Sequence, residues 1–157
     1  RRRFAFHQLK TFQKEAYDKV VEEIGARPEI PLNEMPVILG GDRDRKAIRY
    51  SQENVAEAEV DHLIQFQATE FSKLELPPGP GLIVTNPPYG ERLGDAEQLM
   101  GLYEDFGTWL KDKAAGWQVF MLATNPELIR AMRVKPHAQH RVFNGAIECR
   151  FTEFRPN

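Results

Sequence analysis

The chain has 157 residues, of which 41% are hydrophobic and 10% aromatic, and its formal net charge is −2. This is enough apolar material for one domain with a core, it argues against disorder, and it offers no global attraction for nucleic acid. No run of about 18 apolar residues and no signal peptide is found, so a cytoplasmic protein is the expectation, and the single cysteine, Cys149, excludes an internal disulfide.

The chain opens on Arg1-Arg2-Arg3 without a methionine, which reads as a piece of a longer polypeptide. Phe12, Ala16, Val20 and Ile24 then recur at helical spacing, with Gly25 at the natural position just past a helix end. Pro28 to Pro36 is a proline-rich connection. Val37-Ile38-Leu39 reads as a short strand ending in Gly40-Gly41-Asp42. An acid at the carboxyl end of such a strand can accept from both hydroxyls of a ribose, or it can cap the helix that follows. That helix is expected from Asp44 to about Ala58, on a narrow stripe of small residues. Leu63 to Gln67 reads as the next strand and places Glu70 just past its end. Glu70 could accept from an adenine amine, or simply stay hydrated.

Pro77 to Gly81 is a rigid loop that feeds Leu82-Ile83-Val84, expected to be a buried strand. Beyond the corner that ends this strand, Asp95 with Gln98 forms a capping-box pattern. Leu99, Leu102/Tyr103, Phe106 and Trp109/Leu110 follow as the clearest helical stripe in the chain, and they read as core. Trp117 to Leu122 is a buried strand, Asn125-Pro126 caps a short helix to about Met132, and Gln139–Phe143 and Ala146–Phe151 flank Asn144-Gly145 as a hairpin. The order implies an α/β fold with a mostly parallel sheet and one antiparallel terminal hairpin. His7, His62, His137 and His140 lack a consistent partner set, so no metal site is expected.

Charge is distributed unevenly. Residues 1–49 carry 11 Lys/Arg against 8 Asp/Glu, residues 50–112 carry 3 against 12, and residues 113–157 carry 7 against 3. An RNA partner would have to meet local basic surface, such as Arg130, Arg133, Lys135 and Arg141, or a domain outside these residues.

The stretch that carries chemistry is Thr85-Asn86-Pro87-Pro88-Tyr89-Gly90, directly after the central strand. Open α/β sheets put ligands at such a corner. The prolines stiffen it and offer carbonyls without N–H groups. Asn-Pro alone is a common turn signal. The whole tetrapeptide suits a planar ring bearing an exocyclic NH2: the Asn86 amide oxygen and the Pro87 carbonyl accept its two N–H bonds, and Tyr89 stacks on the ring. The nitrogen lone pair is then aimed at an electrophile.

Asn86-Pro87-Pro88-Tyr89 resembles the signature of class I S-adenosylmethionine-dependent amino-methyltransferases. With Gly40-Gly41-Asp42-Arg43-Asp44, the Glu53–Ala56 stretch, Thr69-Glu70, the continuation Gly90-Glu91-Arg92-Leu93 and the Phe143-Asn144-Gly145 hairpin, the chain resembles the catalytic domain of THUMP-containing 23S rRNA guanine-N2 methyltransferases. Members are also labelled N6-adenine-specific DNA methylases. The resemblance runs through nearly the whole chain and implies a class I, Rossmann-like fold and S-adenosylmethionine as cofactor. Asp42 would hold its ribose, Glu70 its adenine, and Asn86, Pro87 and Tyr89 the target base, Asn86 touching the cofactor as well. It implies methyl transfer to an exocyclic amine, guanine N2 of 23S rRNA first, adenine N6 or a protein glutamine N5 as alternatives, with no metal and no membrane partner. A non-catalytic scaffold or RNA-binding remnant is the reading from a different class.

One departure from that family is expected to matter. No Gly-x-Gly segment occurs in residues 1–36, so the first strand and its glycine-rich loop, like the THUMP domain, are not found. The expectation is a single, N-terminally incomplete catalytic domain over residues 1–157. In such folds the first strand lies between the strands ending at Asp42 and at Asn86, so its loss should leave a gap in the sheet.

Overall fold

The computed structural model describes residues 4–28, 30–88 and 96–157. The chain divides into two compact units, residues 1–36 and 37–157. Among the described residues no helix is long and apolar enough to cross a membrane.

In the first unit a 3-10 turn at Ala5–Gln8 leads to helix α1, Lys14–Gly25. The rings of Phe6, His7, Phe12 and Tyr17 meet with centroids 4.5 to 5.8 Å apart. Phe12 therefore stays outside the helix, its N–H bonded to the Leu9 carbonyl at 3.0 Å. Gly25 is the last helical residue and not the one beyond it; Ala26 is the C-cap. No residue of α1 is buried, and Val20 and Ile24 remain exposed.

The second unit holds the sheet. Strand β1 is Ile38–Asp42, α2 is Arg45–Glu57 and β2 is Ile64–Ala68. Strand β3 is Leu82–Thr85, α3 is Ala96–Lys113, β4 is Gln118–Ala123 and α4 is Pro126–Ala131. The hairpin is β5, Pro136–Asn144, with β6, Ile147–Phe154. This is the element order that the periodicities imply. Strands β1 and β2 pair in parallel, β3 and β4 pair in parallel, and β6 runs antiparallel to both β4 and β5.

The core lies between α3, α4 and one face of the second sheet. Tyr103, Leu110, Val119, Met121 and Phe154 are wholly or almost wholly buried. Phe71, Phe106 and Trp109 extend it as an aromatic group with centroids 5.2 to 5.9 Å apart. Helices α3 and α4 come so close that a Cβ at Gly107 would lie 2.0 Å from the Met132 carbonyl oxygen.

Two further expectations are corrected, and one that was open is decided. The hairpin turn is Gly145-Ala146, not Asn144-Gly145: Asn144 pairs with Ile147 as the last residue of β5, and Gly145 alone takes the positive φ, 64°, that a type II′ turn needs at its first central position. Second, the helix after β1 is capped by Asp44, whose Oδ1 accepts from Lys46 N at 2.8 Å. Third, the Leu82-Ile83-Val84 strand is buried on one face only. Ile83 packs on the core, whereas Leu82 and Val84 alternate to the opposite face and are 58% and 67% exposed.

The sheet is broken where a gap was expected. The strands form two separate sheets, β1-β2 and β3-β4-β6-β5, so one edge of β1 and one edge of β3 lack a partner strand among the described residues.

Candidate active site

The carboxyl ends of β1, β2 and β3 open on one cavity of about 410 Å³. Its wall brings together Asp42, Glu70, Asn86 and Pro87, four of the five residues singled out in the sequence. The fifth, Tyr89, lies outside the described residues, as do Gly90-Glu91-Arg92-Leu93 and Asp95.

Each side chain is positioned by local backbone chemistry. Asp42 Oδ1 accepts from Asp44 N at 2.8 Å, an Asx turn that fixes the carboxylate at the strand end and leaves its other oxygen without a donor among the described residues. Thr69 N bonds the Asp42 carbonyl at 2.9 Å, so the ends of β1 and β2 are tied and Glu70 follows directly beside Asp42. Glu70 opens a 3-10 turn, Phe71–Lys73, and lies 3.9 Å from Lys73 Nζ. Both partners are more than half exposed, so this pair is weak and yields easily to a ligand.

The Asn86-Pro87-Pro88 corner leaves β3 where Thr85 pairs with Met121. No described residue donates to the Asn86 side chain or to the Pro87 carbonyl, so both acceptors are available in the cavity. The third carbonyl is used differently: Tyr103 Oη donates to Pro88 O at 3.3 Å. Tyr103 is 1% exposed, on α3, and clasps the corner from below. Apolar floor comes from Phe71, Leu74 and Phe106, and Asp105 adds a third acid to the lining.

Sequence reasoning placed Tyr103 in the core, which is correct, and missed that its hydroxyl holds the Asn86-Pro87-Pro88 corner. The signal was there in part, since a buried tyrosine hydroxyl needs a partner. Asp105 gave no signal, because on a helix flanked by other acids it reads as solvated charge. Among the described residues no group of three or more His, Cys, Asp or Glu could hold a metal ion.

Adjacent carboxylates at two strand ends can take the vicinal hydroxyls and exocyclic amine of a nucleoside. The paired acceptors at the third strand can hold an NH2 group across the same cavity.

Comparison with known proteins places the chain in a family. The family described as RMKL-like, methyltransferase domain, matches residues 2–153. A ribosomal RNA large subunit methyltransferase K/L of Syntrophotalea carbinolica is 40% identical over 144 residues, covering 89% of this chain and 20% of that protein. The chain thus spans about one fifth of the length of the curated relatives it matches. The crystal structure of SMU.472 complexed with SAH superposes with a TM-score of 0.81 at 20% identity, over 99% of this chain and 41% of that one. A predicted N6-adenine-specific DNA methylase from Listeria monocytogenes gives 0.73 at 24% identity, over 99% and 39%. These likenesses are of fold, and the fold is the class I methyltransferase-like α/β arrangement that the family resemblance implies. With its family match spanning nearly every residue, the chain belongs to the RMKL-like methyltransferase domain family.

Proposed function

We propose that this domain methylates an exocyclic amine of a nucleic-acid base, guanine N2 of 23S rRNA first among the candidates, using S-adenosylmethionine in the cytoplasm. The observation that carries the reading is the convergence of Asp42, Glu70, Asn86 and Pro87 on one cavity, two carboxylates and two amide-type acceptors lining the same space. The family match and the rRNA methyltransferases among its relatives support it.

The donor set fits the nucleoside half of the cofactor. Asp42 has one oxygen held by Asp44 N and one open to ribose hydroxyls, and Glu70 stands beside it for the adenine amine. When bound, the cofactor supplies a methyl group on a positively charged sulfur. The protein's part is positioning. Asn86 Oδ1 and Pro87 O accept the two N–H bonds of the target amine, which turns its lone pair away from them, and Tyr89 stacks on the ring. The stiff prolines and the Tyr103 clasp hold these acceptors in place. Water takes the proton that the amine releases.

The break between β1 and β3 is completed, in this reading, by one further parallel strand of the same polypeptide, whose loop holds the methionine half. Two unpaired strand edges and the exposed Leu82 and Val84 are what such a strand and its attached helix would cover.

The deciding experiment is Asn86→Ala in the full-length protein. Methyl transfer should fall roughly 10²-fold or more while affinity for S-adenosylmethionine changes far less. Near-normal turnover would remove Asn86 from the mechanism. Mass analysis of rRNA nucleosides from cells lacking the protein separates guanine N2 from adenine N6, and a full rRNA complement of both would leave the glutamine alternative.

A further inference from the structure

A second cavity, of about 600 Å³, opens where α4 ends and the hairpin begins. Arg130, Arg133, Lys135 and Arg150 line it, with Gln139, and no carboxylate is among its lining residues. Ile129 and Val134 give it an apolar back wall. In a chain of net charge −2 this is a local concentration of cations.

The cations are poorly neutralised. Neither Lys135 nor Arg150 has a carboxylate within ion-pair distance among the described residues. Arg130 and Arg133 have only solvent-exposed partners, Glu127 at 3.9 Å and Glu104 at 3.8 Å, which a multiply charged anion readily displaces. Arg150 stands directly opposite Arg141 on the β5–β6 ladder, where like charges repel, and Arg141 alone is answered, by Glu148 at 2.8 Å. Arg133, at φ 53° just past α4, is where the helix ends, with its N–H bonded to the Arg130 carbonyl at 3.0 Å.

The register puts the Arg150 end of this cleft level with the base-binding corner, while its Pro136 end pairs with Phe154, level with the start of β4. Thr85, just before Asn86, pairs with Met121 of β4, and Ala123, two residues further along β4, pairs with Arg150. Two strand spacings separate β3 from β6, so Arg150 is displaced from the corner by roughly 10 Å across the sheet. That is a distance one or two nucleotides can span. Guanidinium groups bind phosphate oxygens as forks, and three of the four cations are arginines.

We propose that the α4–β5–β6 cleft binds the phosphate backbone of the RNA whose base enters the Asn86 corner. This rests on the nucleic-acid reading of the active site and adds to it the surface that holds the strand flanking the target.

The test is fluorescence anisotropy of a labelled, structured 23S rRNA transcript with the full-length protein over a range of salt, for the wild type and for Lys135→Glu/Arg150→Glu. Both side chains lie at the surface, and thermal melts check that the variant folds equally. Affinity should fall roughly 10-fold or more at fixed salt, and the slope of log K against log salt should drop by about 0.7–0.9 for each phosphate no longer neutralised. Arg150→Lys, which keeps the charge, should keep most of the slope. An unchanged slope and affinity in the double variant overturns the cleft while leaving the Asn86 corner standing. If the wild type binds no RNA at all, the nucleic-acid reading falls first and the cleft with it. Polyglutamate competing as well as RNA, with the same sensitivity to charge reversal, would replace RNA by an acidic protein.

Discussion

Pro88 offers its carbonyl to Tyr103 while Pro87 keeps its own available, and this division of labour between adjacent prolines sets the residue-scale expectations. Tyr103→Phe removes one hydrogen bond from a buried hydroxyl and should cost about 0.5–1.5 kcal/mol in a melt. Because the corner it holds would loosen, turnover should also fall several-fold with substrate KM little changed; a stability loss with intact turnover would make Tyr103 a packing residue only. Tyr89, as a stacking platform contributing about 1–3 kcal/mol, should tolerate Phe and not Ala. Equal damage from Tyr89→Phe and Tyr89→Ala would assign the work to its hydroxyl. Asp42 illustrates how a short-range signal can be read two ways. Both ribose acceptor and helix cap were chemically reasonable from position alone, and the backbone chose the cap two residues later, at Asp44. Asp42 spends one carboxylate oxygen on Asp44 N, and its other oxygen has no donor among the described residues.

At the scale of elements, caps and stripes were legible because they depend on neighbours within a turn or two. Asn125 accepts from Glu127 N at 2.8 Å with Pro126 at the first helical position, and α2 runs between Asp44 and Ala58 as the stripe implied. The helical stripe of Leu99, Tyr103, Trp109 and Leu110 is the buried face of α3. What the stripe did not show is Gly107, the point at which α3 meets α4. An added Cβ there meets backbone, the Met132 carbonyl at 2.0 Å, and backbone cannot rotate aside. Gly107→Ala should therefore destabilise the fold by about 1–3 kcal/mol despite the better helix propensity of alanine, as denaturant titration would show. Stabilisation by that substitution would mean that the two helices separate at little cost.

For the whole molecule, the break between β1 and β3 governs behaviour. Backbone N–H and C=O groups along two strand edges lack ladder partners among the described residues, and the apolar side chains of Leu82 and Val84 are left in water. The 157-residue chain alone should melt with low cooperativity. It should also bind S-adenosylmethionine weakly, since in the proposed reading Asp42 and Glu70 would engage the nucleoside while no described residue is placed to hold the methionine half. Calorimetric titration of this chain tests both at once: micromolar affinity with a cooperative melt would show the cofactor site to be complete without another strand.

The sequence by itself determined the succession of elements and the parallel-then-antiparallel character of the sheet, and it singled out the corner proposed to carry the chemistry. It did so because hydrophobic period, capping residues and proline-rich corners act over a few residues and leave a local record. It also placed the gap in the sheet, through the family resemblance and the missing Gly-x-Gly segment. Only the tertiary structure decided which partners those elements find. That Tyr103 reaches Pro88, that one face of β3 stays bare, and that four cations from α4, β6 and the segment between α4 and β5 surround one cleft are all consequences of segments far apart in the chain meeting in space. A residue's type records what it can do, and the register of a distant strand determines what it meets.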